Sequence, residues 1–516
     1  MNTLRALTAA ALLAASPAFA APDPVLGYDD ARHLLARTGF GPTNAEVRTY
    51  APLTRSEAVA KLLAETRTTA VTPPPSALDT SPLRPPRGEN IPEAERKAFR
   101  DRQIREGLEV RGWWMREMLV TPSPLTERMT LFWHNHFVSA QPKVRLARLM
   151  YRQNVTLRAN ALGNFGVFLH AIARDPAMVL YLDSVQNRKG APNENFAREV
   201  MELFTLGEGH YGEQDVKEAA RAFTGYSLDR ETGAFMFRPF IHDDGTKTLL
   251  GRSGRFDGDA VLDILLAQPA TADFIVTKLW REFVSPDADR AEIARIARRF
   301  RESDYEIKVA LAAILTSDAF YAPRNRGVLV KSPVELVVGA LHQFAIEPVE
   351  ALPFAFAAAG MGQNLLSPPN VKGWPGGDVW INTTTLLARK AYLDRLTRAD
   401  DVATMAAIAM LAPPIEGERM DMARDDPRGA LAPQGGVDDG KARLQRYRQR
   451  MERGLASVHF DSARFLAQFP GPTPEARAEG AQRLLLATAP QQVPDRSADS
   501  LALVRELVLD AAYQLK

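Results

Sequence analysis

The 516-residue chain contains no cysteine. Disulfides, thiolate zinc sites, iron–sulfur clusters and cysteine nucleophiles are therefore excluded. A lipoprotein anchor is excluded as well, because that lipid is attached to a cysteine at the mature N-terminus. Any bound metal must be held by His, Asp, Glu or Asn side chains.

The chain also lacks a strong charge of either sign. Its 64 Lys and Arg residues nearly balance 62 Asp and Glu residues, so the formal net charge is +2. This balance predicts neither nucleic acid nor an anionic membrane as a partner. Phosphate-binding loops, the nucleophile elbow of hydrolases and the HExxH zinc motif are absent. Beyond the N-terminus, no apolar run reaches the roughly 20 residues of a membrane span.

The first 20 residues have the organisation of a secretory signal peptide. Arg5 precedes an apolar run over residues 6–15, and residues 18–20 read Ala-Phe-Ala, which matches the A-x-A cleavage pattern. We therefore predict cleavage after Ala20 and a periplasmic or secreted mature protein.

The rest of the chain is patterned mainly for α-helices. We predict a large multi-helix orthogonal bundle, with a helical core domain over residues 21–400 and C-terminal helices over 441–516 that pack on it. Clusters of Pro, Gly and polar residues predict a Pro-rich loop over 66–92 and an exposed flexible loop over 413–440. A small β-hairpin insertion is predicted over 225–252.

The predicted insertion rests on a short extended pattern. Phe235, Phe237 and Ile241 alternate with other residues, and residues 243–245 (Asp-Asp-Gly) form a hairpin turn signal. His242 stands beside these two Asp residues. It is a candidate metal ligand, although Asp-Asp-Gly is equally ordinary turn chemistry.

The first candidate site contains two histidines. On a helix that begins near Leu125, the residues Met129, Trp133 and His136 share one apolar stripe. His134 points about 200° away from it, since each helical residue turns about 100°. His136 is therefore either a hydrogen-bonded core histidine or a metal ligand or general base in a recessed site.

A second candidate is the polar face of a helix that begins near residue 195. Asn195, Arg198, Glu199 and Glu202 group there at offsets 0, 3, 4 and 7. The two carboxylates can share a cation or divide acid and base roles. Equally, Arg198 and Glu202 form an ordinary i,i+4 pair on a surface helix.

A third candidate lies on the helix that follows. Glu218 and Arg221 can pair at a spacing of i,i+3 on a polar face, opposite small apolar residues. Both are candidate binding residues. A solvated charged face would give the same pattern.

A glycine-rich segment carries further candidate binding residues. Lys372 and Trp374 lie in a stretch with three glycines, which lets the backbone approach a ligand closely. Trp380 and Asn382 follow. The two Trp rings either stack on a sugar or a protein partner, or form the local core of a tight loop.

Taken together, these segments resemble the bacterial family called domain of unknown function 1800. The resemblance spans residues 28–398, with one departure at Gly212, where the family is expected to have a Thr helix cap. The matching stretches are 32–35, 39–41, 129–137, 192–207, 215–225, 242–251 and 371–382.

The resemblance implies a large, mainly helical, exported protein, and it implies no reaction. Family members are often encoded beside a companion family of unknown function, number 1501, that looks like an alkaline-phosphatase relative. This companion is a possible partner, as is a glycan.

Two functional hypotheses follow. The first is a binding or assembly protein of the cell envelope, in which the polar residues fix helix packing. The second is a metal-assisted hydrolase, in which a divalent cation is held by His136, Glu199 and Glu202. His242 is a further candidate ligand. In both, we expect the helices that bear His136, Glu199, Glu202 and Glu218 to face one another.

Overall fold

The computed structural model describes residues 23–82, 91–229, 231–398, 458–495 and 499–516. The predicted signal peptide and the predicted loop over 413–440 lie outside the described residues. So does the first part of the predicted C-terminal helical region.

The architecture is mainly α, as predicted. In the first half, Thr43 and Thr54 begin their helices with capping boxes that satisfy free backbone N–H groups. The helices of this half are α1 (Gly27–Thr38), α2 (Asn44–Tyr50), α3 (Arg55–Ala64), α4 (Glu93–Val120), α5 (Pro124–His136), α6 (Gln141–Val144), α7 (Ala147–Asn160), α8 (Phe165–Ala173), α9 (Pro176–Tyr181), α10 (Asn195–Glu199) and α11 (Glu213–Ala222).

The second half continues the helical pattern after the insertion. Its helices are α12 (Gly258–Leu266), α13 (Pro269–Phe283), α14 (Arg290–Glu302), α15 (Ile307–Leu315), α16 (Asp318–Tyr321), α17 (Pro333–Gln343), α18 (Leu352–Gly360), α19 (Thr383–Arg398), α20 (Ser462–Ala467), α21 (Pro474–Leu485) and α22 (Ser500–Leu509).

The insertion contains two small hairpins. Strand β1 (Tyr226–Leu228) pairs antiparallel with β2 (Phe235–Phe237), and β3 (Lys247–Leu249) pairs antiparallel with β4 (Arg252–Gly254). The sequence placed Ile241 in a strand and a hairpin turn at 243–245. Instead, Ile241 ends a short 3-10 helix, and residues 243–245 connect the two hairpins.

The core surrounds the middle of α5. Trp133 is fully buried, and its ring packs against Phe137, Phe165 and Phe168 at centroid distances of 5.3–5.7 Å. Its indole N–H donates to the Ala161 carbonyl at 2.8 Å, so this ring is packed and also satisfied. The position of α5 fixes the site described below.

The C-terminal helices lie against the rest of the molecule. Phe465 of α20 packs on Phe344 at 5.2 Å, and α22 lies along α19. Lys516 donates its backbone N–H to Leu329 at 2.8 Å. This contact places the Lys516 side chain near α5 and α13.

In the part of the chain that the structure describes, no single helix combines the length and hydropathy of a membrane span. The helices α12 and α13 have the required length and hydropathy only when they are taken together, and the chain bends by 72° between them.

Candidate functional site

His136 ends α5 with both ring nitrogens in use. Its Nε2 donates to the Phe204 carbonyl at 3.2 Å, and its Nδ1 accepts from the Lys278 amine at 3.0 Å. Burial and the nearby Lys278 charge lower the pKa of His136 well below its usual value, so the ring is neutral. His136 is thus a hydrogen-bonded core histidine with no lone pair left for a metal ion.

His134 is buried as well, although it lies on the other side of the helix. Its ring sits between Trp114 and Trp374, at centroid distances of 5.4 and 5.6 Å. Neither ring nitrogen has a hydrogen-bond partner among the described residues. Burial lowers the pKa of His134 to about 3. Helix α5 is therefore covered on both sides.

The polar face of the next candidate helix is divided by a π turn over Val200–Thr205. Arg198 pairs with Glu194 and with Glu213 at 2.7 Å, so the predicted pair with Glu202 does not form. The reason is the wider turn, which begins between the two residues and takes Glu202 off the α-helical register.

Glu202 turns toward the glycine-rich segment instead. It accepts a hydrogen bond from the Tyr211 hydroxyl at 3.1 Å and lies 3.7 Å from the Lys372 amine. Glu199 is partly buried beside it, and burial together with the Glu202 charge raises the pKa of Glu199. Asn195 is exposed and contacts Asp183.

The polar residues of α11 hold the insertion. Glu218 pairs with Arg221 at 2.9 Å and also accepts the Thr248 backbone N–H at 3.1 Å. Arg221 makes a second pair with Asp243 at 2.8 Å. These residues therefore fix the β-hairpins to the helices, and they do not contact His136 or Glu202.

His242 also has a structural partner. Its Nδ1 donates to the Thr224 carbonyl at 2.8 Å, and the adjacent Asp243 pairs with Arg221. Within the described ranges, no group of three His, Asp or Glu side chains is arranged to hold a metal ion. The four predicted ligands are not brought together.

The glycine-rich segment is attached to α5 through Asn135. The Asn135 Oδ1 accepts the Trp374 backbone N–H at 2.6 Å. Trp374 and Trp380 are buried by their own loop and its neighbours, with about 4% and 6% of their surface exposed. Asn382 accepts the Thr385 backbone N–H at 3.0 Å and so caps α19.

A cleft of about 440 Å³ opens between α5, α13 and this segment. It brings together four of the candidate residues, His136, Lys372, Trp374 and Trp380, and we call it the Trp-loop cleft. His136, Asn135, Trp374 and Trp380 line it. Its basic side chains are Arg128, Lys278, Arg281, Lys372 and Lys516, against the two acidic side chains Glu282 and Glu335.

Two of the five basic residues are neutralised locally. Arg128 contacts Glu335 at 2.8 Å and Glu282 more closely still. Lys516 pairs with the same Glu335 carboxylate. These cations hold the pKa of Glu335 below its usual value although the group is buried. Both carboxylates of the cleft are therefore already paired with basic residues.

The other three basic residues have no close carboxylate partner. Lys278 and Arg281 contact no carboxylate among the described residues. Lys372 is about 66% exposed and lies 3.7 and 3.8 Å from Glu202 and Glu208, which are long, solvated contacts. Among the described residues, three basic side chains thus line a concave space without a close carboxylate partner.

The comparison with known families agrees with the family resemblance of the sequence motifs. A family model described as "Protein of unknown function (DUF1800)" matches residues 33–505. The chain belongs to this family. The match continues beyond residue 398 into the C-terminal helices. No curated protein and no solved structure matches the chain.

Sequence reasoning on this DUF1800 chain missed Lys278 and Arg281. Lys278 borders the apolar stripe of α13, between the buried Ile275 and Leu279. A lysine at the edge of such a stripe is a recognisable signal, but only the fold shows that it faces His136. Arg281 follows one helical turn later.

Proposed function

We propose that this DUF1800 protein is a binding protein of the cell envelope that takes a small anionic ligand in the Trp-loop cleft. The observation that carries the proposal is a set of three basic residues around a cavity of about 440 Å³. Among the described residues, Lys278 and Arg281 contact no carboxylate. Lys372 has only long, solvated contacts with Glu202 and Glu208. A ligand carboxylate, phosphate or sulfate supplies the missing charge.

The sites of the three cations suit such a role. Lys278 stands on α13 and is held from two sides, so its position is preformed. Lys372 is on the loop that Asn135 fixes to α5. Preformed donors lower the entropy loss of binding.

The metal-assisted hydrolase finds less support. His136, the ligand on which it depends most, uses both ring nitrogens within the protein. Glu218 on α11 contacts the insertion, His242 lies within the insertion, and neither residue lines the cleft.

The binding experiment is a calorimetric titration of the purified protein at low salt with inorganic phosphate, sulfate and citrate. We expect saturable binding of at least one anion. Arg281→Gln and Lys372→Gln should each weaken it by about tenfold, since a charge-assisted hydrogen bond contributes about 1.5–3 kcal/mol. Arg295→Gln is the control, because Arg295 pairs with Glu292 on the exposed face of α14. Absence of binding, or equal affinity in all variants, would overturn the proposal.

Export is part of the proposal and rests on residues 1–20 alone. N-terminal sequencing of protein from the cell envelope should begin at Ala21. A chain that retains Met1 in the cytoplasm would refute it.

The companion family 1501 and a glycan are proposed as partners of this surface. Both Trp rings are largely covered, so a glycan would contact their edges and the cationic rim. Co-purification of the two proteins, with and without a competing anion, tests whether the cleft takes part.

A further inference from the structure

Lys278 differs from the other cleft cations in having a fixed, desolvated amine. Its Nζ donates to His136 Nδ1 at 3.0 Å and to the Leu203 carbonyl at 3.2 Å. The face of the Phe274 ring lies 4.8 Å from the same nitrogen. The amine is therefore held at the cleft wall by two neutral acceptors and an aromatic ring.

These contacts accommodate the neutral amine as well as the ammonium. A neutral amine has two N–H bonds and one lone pair, and the two acceptors take both N–H bonds. The lone pair is then left for the cleft. His136 supports this arrangement, because its Nε2–H is committed to Phe204 and its Nδ1 can only accept.

From this geometry we infer that Lys278 is a nucleophile that forms an imine with a small ligand bearing both a carbonyl and an anionic group, such as a 2-oxo acid. The inference rests on the proposed anion site and specifies its ligand class. Lysine amines that are desolvated or next to another cation serve this chemistry in other proteins. Arg281, one turn along α13, is that cation.

The amine is also easier to deprotonate than an ordinary lysine. Burial, with the nearby Arg281 charge, lowers the pKa of Lys278 to about 8. A substantial neutral fraction is thus present in mildly alkaline solution.

The step is balanced without an oxidant or a cofactor. The Nζ lone pair attacks the carbonyl carbon, an N–C bond forms, and the carbonyl π electrons move to oxygen. A proton passes from nitrogen to that oxygen and gives a carbinolamine. The second N–H proton then passes to the hydroxyl, the nitrogen lone pair forms the C=N bond as the C–O bond breaks, water leaves, and the neutral imine remains. Arg281 and Lys372 hold the anionic group of the ligand, and His136 positions the amine.

Lys331 is a matched internal control. It too is buried, and burial lowers its pKa to about 7. Its amine lies over the Tyr513 ring at 3.8 Å and borders only a small enclosed cavity of about 10 Å³. Lys331 has a lowered pKa but does not line the cleft. A comparison of the two lysines therefore shows whether imine formation depends on position in the cleft or on a lowered pKa alone.

The experiment is reductive trapping of the folded full chain with glyoxylate and cyanoborohydride, read by intact mass and peptide mapping. We expect one fast adduct on Lys278 and none on Lys331. Acetaldehyde, which has the carbonyl but no carboxylate, should label Lys278 about tenfold more slowly. Lys278→Arg keeps a basic side chain but has no nucleophilic amine, so it should form no fast adduct.

The outcomes separate this inference from the anion site. Glyoxylate binding without an adduct on Lys278, or equal labelling of Lys278 and exposed lysines, overturns the imine and leaves the anion site in place. Absence of both binding and labelling overturns both.

Discussion

Asn135 holds the Trp374 backbone through both ends of its amide. Its Oδ1 accepts the Trp374 N–H at 2.6 Å, and its Nδ2 approaches the Trp374 carbonyl at 3.4 Å. Gly373 makes this approach possible. A Cβ at Gly373 would lie 2.2 Å from the Asn135 Oδ1, and its φ of +86° already favours glycine.

Gly373→Ala should therefore detach the loop from α5. We expect weaker anion binding and a loss of about 2–3 kcal/mol in the free energy of unfolding, from backbone strain and the lost hydrogen bond. Urea unfolding and the anion titration measure both.

Gly376→Ala is the matched control for this loop. Gly376 has a φ of +70°, but no atom lies within 4 Å of a Cβ there. It should lose about 1–3 kcal/mol of stability, because its φ of +70° with a ψ of −177° is a conformation essentially restricted to glycine, and it should keep the loop in place. Equal effects of the two variants on anion binding would show that the Asn135 contact does not hold the loop.

A buried ion pair joins α5 to α7. Arg158 contacts Glu127 through Nε at 2.5 Å and through a second nitrogen at 2.9 Å, and the Trp114 indole donates to the same carboxylate. Both side chains are about 1% exposed. Glu127→Leu should cost about 3–5 kcal/mol of unfolding free energy, since it leaves a buried Arg unpaired.

Removing both charges tests the reason for that cost. The double variant Glu127→Leu with Arg158→Met should recover part of the stability lost by Glu127→Leu, measured by urea unfolding. Glu292→Gln, in the exposed pair with Arg295, should change stability by less than about 1 kcal/mol. A double variant less stable than the single one would contradict this account.

Glu202 should oppose anion binding, because it lies 3.7 Å from Lys372. Glu202→Gln keeps an acceptor for the Tyr211 hydroxyl and removes the charge. We expect anion affinity to rise about fivefold, which corresponds to about 1 kcal/mol between solvated charges at this distance. Glu208→Gln, at a more exposed carboxylate, should have a smaller effect. A metal-dependent site predicts the opposite, namely loss of affinity with Glu202→Gln.

Sequence periodicity, which is a local property, predicted the helical fold. It also predicted which residues lie on each side of α5. The apolar stripe predicted the burial of Trp133 and His136, and their packing followed from it. The π turn after Glu199 did not, because it packs against α12 and α13, which come from distant parts of the chain. The alternative in which Arg198 pairs with Glu202 is therefore excluded, and Arg198 pairs with Glu194 and Glu213 instead.

The cleft could not be predicted for a similar reason. Lys278 and His136 are 142 positions apart, and Lys372 comes from a third segment. Spacing shows which residues share one helix face, but not which faces meet. In the sequence, the polar face that carries Glu218 and Arg221 resembled the other candidate site motifs. In the structure, these two residues fix the insertion instead.

Asp175 is a buried carboxyl that should make stability depend on pH. It caps α9, where one oxygen accepts the backbone N–H groups of Ala177 and Met178 and the Gln153 amide at 3.0–3.1 Å. Burial is the largest influence and raises the pKa of Asp175 to about 7, while these hydrogen bonds act in the other direction. In the unfolded chain the pKa is about 3.9.

The sign of the effect follows from proton binding. Between about pH 4 and pH 7 the folded protein keeps the proton on Asp175 and the unfolded chain loses it, so the contribution of this group to stability falls as pH rises.

Asp175→Asn keeps an acceptor for both backbone N–H groups and cannot ionise. The stability of the variant relative to the parent protein should therefore increase across this window, by on the order of 2–4 kcal/mol in total. Urea unfolding at several pH values measures the difference. Asp257→Asn, at the exposed cap of α12, should show no such increase. A constant difference between Asp175→Asn and the parent protein would show that the Asp175 carboxyl is ionised in the folded state throughout this range.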